Sequence, residues 1–206
     1  GDYKLPCKGN AKDCEYGNVI YYEGFEYDFG DDWIMVDGGG QDFFWRPSMT
    51  LPEVFVKQDM IPYDGNGLMY ISSYDPETLT YPDVIDTYAI TPAITIPENG
   101  KATLRFMLKG FTYSPETLEV SAGEGNDPKA YTSVGTVTVD SSTGTDWQAY
   151  TLDLSAWAGK EIHIAFHAGE DIGRYFAMDD VMVASTAGDS VETLETDDNS
   201  TVEYYT

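Results

Sequence analysis

Along most of this chain apolar and polar residues alternate one by one. From Lys101 to Lys109, the residues Ala102, Leu104, Phe106 and Leu108 fall on one side. Thr103, Arg105, Met107 and Lys109 fall on the other. A period of two marks a strand with one buried face. Leu118 and Val120 flank Glu119 in the same way. Tyr150, Leu152 and Leu154 alternate with Thr151, Asp153 and Ser155, and Ile162, Ile164 and Phe166 with Glu161, His163 and Ala165. Further strands are predicted at Val19–Phe25, Trp33–Val36, Leu68–Ser73, Tyr88–Ile90, Ala93–Ile96, Val134–Val139 and Tyr175–Ala184.

Turn sequences separate these runs: Asp64-Gly65-Asn66-Gly67, which reads as a hairpin turn, Pro97-Glu98-Asn99-Gly100, Gly123 to Pro128, Ser141 to Gly144, and Ala158-Gly159. No long amphipathic helix is found; single helical turns are expected at most around Pro76–Thr78 and Ser155–Ala158. Many short strands with polar turns predict an all-β protein, an antiparallel β-sandwich of jelly-roll type with one wet face per sheet. The domain is expected to span 17–184. Before it lies a polar extension, 1–16, with both cysteines; after it, an acidic Ser/Thr-rich linker, 185–206.

Composition narrows the function classes. The 206 residues carry 36 acidic and 11 basic side chains, a formal net charge of −25. Residues 185–206 contribute only six of those charges, so the predicted sandwich is itself strongly anionic. Between Ala11 and Gly100 the basic residues are Lys12, Arg46 and Lys57 alone. Nucleic acid needs a basic face to displace counterions, and anionic lipid needs one too, so neither is an expected partner. Self-repulsion favours a monomer. Abundant carboxylates suit a hard cation such as calcium. With 42% hydrophobic and 14% aromatic residues, the chain has material for a core and is unlike a disordered segment.

No apolar run is long enough to span a membrane as a helix. The chain begins Gly1-Asp2-Tyr3, without Met or a hydrophobic signal region, the start expected once a targeting segment has been removed. Cys7 and Cys14 lie close together with no histidine nearby, which argues against zinc. A disulfide closing a short loop suits a secreted protein; two free thiols are the alternative.

Several segments together resemble a known family. Asp86-Thr87-Tyr88-Ala89-Ile90-Thr91-Pro92 resembles the D-x-Y-L-I-[ST]-P motif of the cleaved-adhesin family, also called choice-of-anchor J. These are jelly-roll modules of secreted Bacteroidetes proteins, including the haemagglutinin/adhesin regions of gingipains. Gly24-Phe25-Glu26 followed by Asp32-Trp33-Ile34-Met35-Val36-Asp37 is similar to the family's opening, and Gly67 to Ser73 to its G-x-x-x-x-x-S strand. Trp147–Ser155 and Gly159–Phe166 resemble its late strand pair, and Tyr175-Phe176-Ala177-Met178-Asp179-Asp180-Val181 its closing strand. The late strands are shared with MAM and galactose-binding-like jelly rolls. Val202-Glu203-Tyr204-Tyr205-Thr206 resembles the first strand of a C-terminal sorting module. One departure stands out. Where the family carries an acidic D-x-D-G-D-G loop, this chain has Asp37-Gly38-Gly39-Gly40-Gln41-Asp42, with Gly39 at the second carboxylate.

The resemblance implies a structural calcium ion tying the first strand to the last, through Glu26 and one of Asp179 and Asp180, with Asp37 as a further candidate ligand. On a regular strand the two aspartates point to opposite faces, so one is expected to enter the sandwich or an edge. A buried bare carboxylate needs a cation or several donors. The alternative is an aspartate accepting backbone N–H bonds at a strand bend. His163 and His167 share a strand face about 13 Å apart at roughly 3.3 Å per residue, so they read as wet-face residues, not a metal pair. Nothing singles out a catalytic serine, and among so many acids carboxylate pairing carries no signal. Of the aromatic residues in irregular sequence, Phe43, Phe44 and Trp45 read as packed, while Tyr74 and Tyr81 are candidate contacts for a ligand.

By resemblance the chain is expected to be a non-catalytic, secreted or cell-surface, adhesin-like module. Its expected partner is a glycan or an extracellular protein. The alternatives are a spacer domain without a ligand and a carbohydrate-active enzyme whose site the sequence does not display.

Overall fold

The structure, a computed structural model, describes residues 18–27, 32–48, 60–73, 80–98, 101–111, 115–139, 146–169 and 175–186. Its strands are β1 (Asn18–Glu23), β2 (Ile34–Asp37), β3 (Arg46–Pro47), β4 (Met69–Ser72), β5 (Thr87–Ile90) and β6 (Ile94–Thr95). They continue with β7 (Lys101–Phe111), β8 (Glu116–Gly123), β9 (Thr132–Val139), β10 (Gln148–Asp153), β11 (Glu161–Ala168) and β12 (Tyr175–Thr186). The 3-10 turns described over their whole length are Pro128–Ala130 and Ser155–Trp157.

Two six-stranded antiparallel sheets face one another. One runs β10-β7-β12-β4-β3, with β1 also paired to β12. The other runs β2-β5-β11-β8-β9, with β6 paired to β11. The chain is therefore all-β, an antiparallel jelly-roll sandwich, as the alternation predicts.

The core between the sheets takes the residues that the period of two assigns to it. Leu104, Phe106 and Leu108 come from β7, Leu118 and Val120 from β8, Ile162, Ile164 and Phe166 from β11. Phe106 packs edge-on against Phe166 at 5.3 Å, and Trp33 lies over Phe166 at 6.2 Å. Phe106 is fully buried, and burying a side chain of that size stabilises by roughly 2–3 kcal/mol. Phe43 and Trp45 are buried as the sequence reading expects, but in a stretch that carries only the two-residue strand β3 after it.

One expectation is corrected here. The second face of β7 is not wet along its whole length: Met107 and Lys109 are buried. A second apolar cluster covers the far side of this sheet, made of Met60, Leu68, Tyr70, Tyr175 and Ala177 with Trp147 against it. A third, of Tyr88, Ile90 and Ala165 with Ile34, Val36 and Tyr131, lies on the outer side of the opposite sheet. Strands β4 and β5 are therefore buried on both faces, which is why Met69–Ile71 and Tyr88–Ile90 do not alternate with polar residues.

Candidate functional site

The middle of β12 organises the first candidate site. Its residues Tyr175–Met178 pair with β4, and Val181–Ser185 pair with β1, on the same edge. β1 and β4 thus lie end to end along β12, and Asp179-Asp180 falls at the gap between them. On the other edge, the register against β7 shifts between Asp179 and Met182. This is a β-bulge, with Asp180 in the left-handed region at φ 49°. Strict alternation after Phe176 and Met178 would send Asp180 into the core. The extra residue re-phases the strand, and the core receives Met178, Val181 and Val183 instead. Of the two places expected for an aspartate, the sandwich or an edge, the bulge excludes the first: neither Asp179 nor Asp180 joins the core between the sheets.

Asp179 is nonetheless fully buried. Its Oδ2 accepts the backbone N–H groups of Tyr63 at 2.9 Å and Asp64 at 3.2 Å, and its Oδ1 accepts that of Asp180 at 2.8 Å. The carboxyl is pushed up to about 8: burial is the main cause, the neighbouring Asp180 charge adds to it, and the three N–H groups offset it in part. Asp180 Oδ1 accepts the Tyr22 hydroxyl at 2.5 Å. Burial, together with that carboxylate, raises the Tyr22 phenol.

The turn that covers Asp179 also meets the end of β1. Glu23 accepts the Phe25 N–H at 2.6 Å, and Phe25, at φ 52°, swings the chain off the strand into a buried contact with Trp33. Glu26 follows, exposed, and its carboxylate accepts the Asn66 N–H at 2.8 Å. A Cβ on Gly65, itself at φ 59°, would overlap that carboxylate. Asp64–Gly67 is therefore not a hairpin turn joining two paired strands. It is the clasp over the gap between β1 and β4, holding Asp179 on one side and Glu26 on the other.

Oxygen-bearing side chains grouped around one turn are the donor chemistry of a hard cation, and burial disfavours the charged form of Asp179. In the present arrangement each of the three carboxylates is engaged with an N–H or hydroxyl donor. Among the described residues no group of three or more His, Cys, Asp and Glu side chains is drawn together to hold a metal ion. The bonding of Asp179 is that of an acid accepting N–H groups at a strand bend.

Asp37 lies elsewhere, at the end of β2 in the opposite sheet. Its Oδ1 accepts Gly39 N–H at 2.8 Å, and its Oδ2 those of Gln41 at 2.5 Å and Phe43 at 3.3 Å. Burial pushes its pKa up, but the N–H groups of Gln41, Phe43, Gly39 and Asp42 outweigh it and the net displacement is downward. The loop is closed from outside by the 80–86 segment. Gly38 N–H reaches the Asp86 carbonyl at 2.6 Å, and Asp83 N–H reaches the Gln41 side chain at 2.7 Å. A Cβ at Gly39 would stand 2.8 Å from the Val84 carbonyl. The glycine that replaces an acid here fits because no side chain does.

Of the two aromatic candidates, Tyr81 is 76% exposed on that closing segment, near exposed Val84. Tyr74 lies outside the described residues, as do Cys7 and Cys14. The other large apolar side chains exposed among the described residues are Tyr27, Ile61 and Tyr63. No sequence signal pairs Tyr63 with its partner: it meets Trp147 edge-on at 6.3 Å, across a wide sequence separation.

The two histidines sit half-buried on β11. His163 Nδ1 lies 2.7 Å from the Thr91 carbonyl. His167 is held between Asp86, at 2.7 Å, and Glu119, at 3.5 Å, and stacks on Tyr88 with ring centroids 4.1 Å apart. Burial, then the Asp86 charge, pushes the Tyr88 phenol up to about 12. Each imidazole is thus used locally, as their spacing along the strand implies.

No protein-family profile matches the chain. Curated proteins do. Gingipain R1 of Porphyromonas gingivalis is 24% identical over 198 residues, 90% of this chain but 11% of that protein. Hemagglutinin A of the same species is 26% identical over 173 residues, 74% of this chain and 8% of that protein. The chain thus spans about a tenth of the length of these relatives. The K1 cleaved adhesin domain of Lys-gingipain from P. gingivalis W83 superposes with TM-score 0.65 at 25% identity, over 83% of this chain and 100% of that domain. A xylan-binding domain of carbohydrate-binding family 22 shares the fold, with TM-score 0.52 at 15% identity over 84% of this chain and 98% of that one. Fold and sequence together define a jelly roll of the kind seen in these adhesin domains. Within that class, the chain is most usefully described as similar to the cleaved adhesin domains of the gingipains.

Proposed function

We propose that this chain is a non-catalytic, secreted or cell-surface module that binds an extracellular macromolecule, glycan or protein, through side chains carried on a rigid sandwich. The observation that supports the reading most is the match over four-fifths of the chain to an adhesin domain. The xylan-binding neighbour supports the glycan side of it. Loops placed on a stiff scaffold are where such contacts concentrate, and Tyr81 offers an exposed ring there. Tyr74 belongs to the same proposal. A structural calcium ion held by Glu26, Asp179 and Asp180 is also part of it, supported by the buried, proton-hungry carboxylate of Asp179; Asp37 is left to its loop.

The test is a screen of the folded chain against immobilised neutral and acidic glycans and against extracellular-matrix proteins. Saturable retention on at least one is the expected result. No retention on any, from a sample with a native circular-dichroism spectrum, sinks the reading. Release of reducing ends from polysaccharide would replace it with an enzyme.

A further inference from the structure

We propose that Trp147 and Tyr63, with Ile61 beside them, form a stacking platform for a neutral glycan chain. This deepens the binding reading above and rests on it. The platform lies on the outer side of the β10-β7-β12-β4-β3 sheet, away from Tyr81 and the Asp37 loop. Three observations build it. First, the Trp147 ring and the Tyr63 backbone are fixed in place. The Trp147 indole N–H donates to the Ile61 carbonyl at 3.0 Å, and the Tyr63 backbone N–H is held by the buried Asp179 carboxylate at 2.9 Å. Second, the rings meet edge-on at 6.3 Å and 66°, making a corner instead of a flat stack. Third, the corner is open. Ile61 is 63% and Tyr63 42% exposed, while Trp147 is half-buried with its inner side on the Met60–Leu68–Tyr70–Tyr175 cluster.

The chemistry of the ligand follows from what the corner offers. With its N–H already bonded to the Ile61 carbonyl, Trp147 offers a ligand its ring surface. Ring surface takes the C–H face of a pyranose, and a ring fixed beforehand loses little entropy on binding. Asp64 and Asp146, next in sequence to the two rings, and Glu26, bonded to the same turn, supply acceptors for hydroxyl groups. That rim and the net charge of −25 disfavour sulfated or uronic polymers. A hydroxyl-rich, uncharged chain satisfies both the rings and the rim.

The experiment uses the folded chain on immobilised xylan, β-1,4-galactan and desialylated mucin, with heparin and polygalacturonate as anionic comparators and poly-arginine at high salt as a basic one. Retention is expected on a neutral probe. Tyr63→Ala and Trp147→Ala are each expected to weaken it by about tenfold or more, and Trp147→Phe to keep a large part of it. Tyr63→Ala removes a ring but not the N–H that Asp179 holds, so it remains informative if Trp147→Ala fails to fold. Unchanged affinity of both alanine variants for a neutral probe would overturn the platform and leave the binding function standing. Retention on poly-arginine and on no neutral probe would make the corner a docking surface for a basic protein and overturn the glycan assignment. No retention of the parent chain on any probe would remove the binding reading itself.

Discussion

Asp37 and Asp179 do the same job in the two sheets and meet opposite electrostatic fates. Each closes a loop by accepting several backbone N–H groups: Gly39, Gln41 and Phe43 for Asp37, Tyr63, Asp64 and Asp180 for Asp179. Asp37 is left partly open to water, and its pKa falls. Asp179 is sealed beneath the Tyr63–Asp64 clasp, and its pKa rises to about 8. Donor count, four N–H groups against three with that of Asp42 included, is not the main difference. Desolvation is, together with the second negative charge that the bulge places next door on Asp180.

The contrast breaks most sharply on truncation. Asp179→Ala leaves three N–H groups facing a void that water does not reach, and is expected to cost about 3 kcal/mol or more. Asp37→Ala leaves groups that water can reach in part, and about 1–2 kcal/mol is expected. Urea unfolding midpoints of the two variants measure both; equal losses would mean that burial is not what distinguishes the sites. Asp179→Asn should recover much of the alanine loss, since it keeps acceptor oxygen without a charge.

The pH dependence of stability should have opposite signs. For Asp179 the native pKa lies above the unfolded value of about 3.9, so the native state holds an extra proton between the two. Its contribution is full below about pH 4 and is lost as pH rises toward about 8. For Asp37 the native pKa lies below the unfolded value, so its contribution is present above about pH 4 and lost in stronger acid. Unfolding midpoints of the parent chain in EDTA should fall from pH 5 to pH 8, and Asp179→Asn should flatten that fall. An unchanged slope in the variant would assign it to the general charge of the surface.

Calcium, if it binds at the clasp, competes with the proton for Asp179. Added calcium is then expected to raise the melting temperature at pH 8, by an amount equivalent to about 2.7 kcal/mol at a hundredfold over Kd. The effect should vanish in Asp179→Asn and persist in Asp37→Asn. A finer comparison sets the two loops' glycines side by side. Gly65→Ala, at φ 59° and against Glu26, should cost about 1–2 kcal/mol. Gly40→Ala, at φ 69° with open space around it, should cost about 1 kcal/mol.

Most of the fold was legible because β7, β8, β10 and β11 obey a period of two, and Leu104, Leu118 and Ile162 go where it sends them. Legibility fails where one residue breaks the period. Nothing in Met178-Asp179-Asp180-Val181 says which aspartate is the extra one; that is decided by Val181 and Val183 competing for the core. Lys109 and Met107 look wet in sequence because the apolar cluster on the far side of that sheet, from Met60, Leu68, Tyr70, Tyr175 and Ala177, is assembled from segments far apart in the chain. The family pattern connects Glu26 to one of Asp179 and Asp180, and the structure adds the piece between Glu26 and Asp179, the Tyr63–Gly67 clasp. The Asp37 loop was marked by its departure from that pattern, but Val84, which leaves Gly39 no room, belongs to another segment.

The position of β12 has a consequence for how the molecule comes into being. It is the last of the described strands, yet β7 lies along one side of it and β1 and β4 along the other. A ribosome delivers β1, β4 and β7 long before it delivers residues 175–186. Until then that sheet has edges and no middle, and its earliest strand waits for its latest: Asn18 pairs with Ser185. Folding must therefore follow completion of the segment, at the slow pace set by contacts of large sequence separation. Any chain cut before Val181 keeps its alternating strands as exposed, aggregation-prone edges.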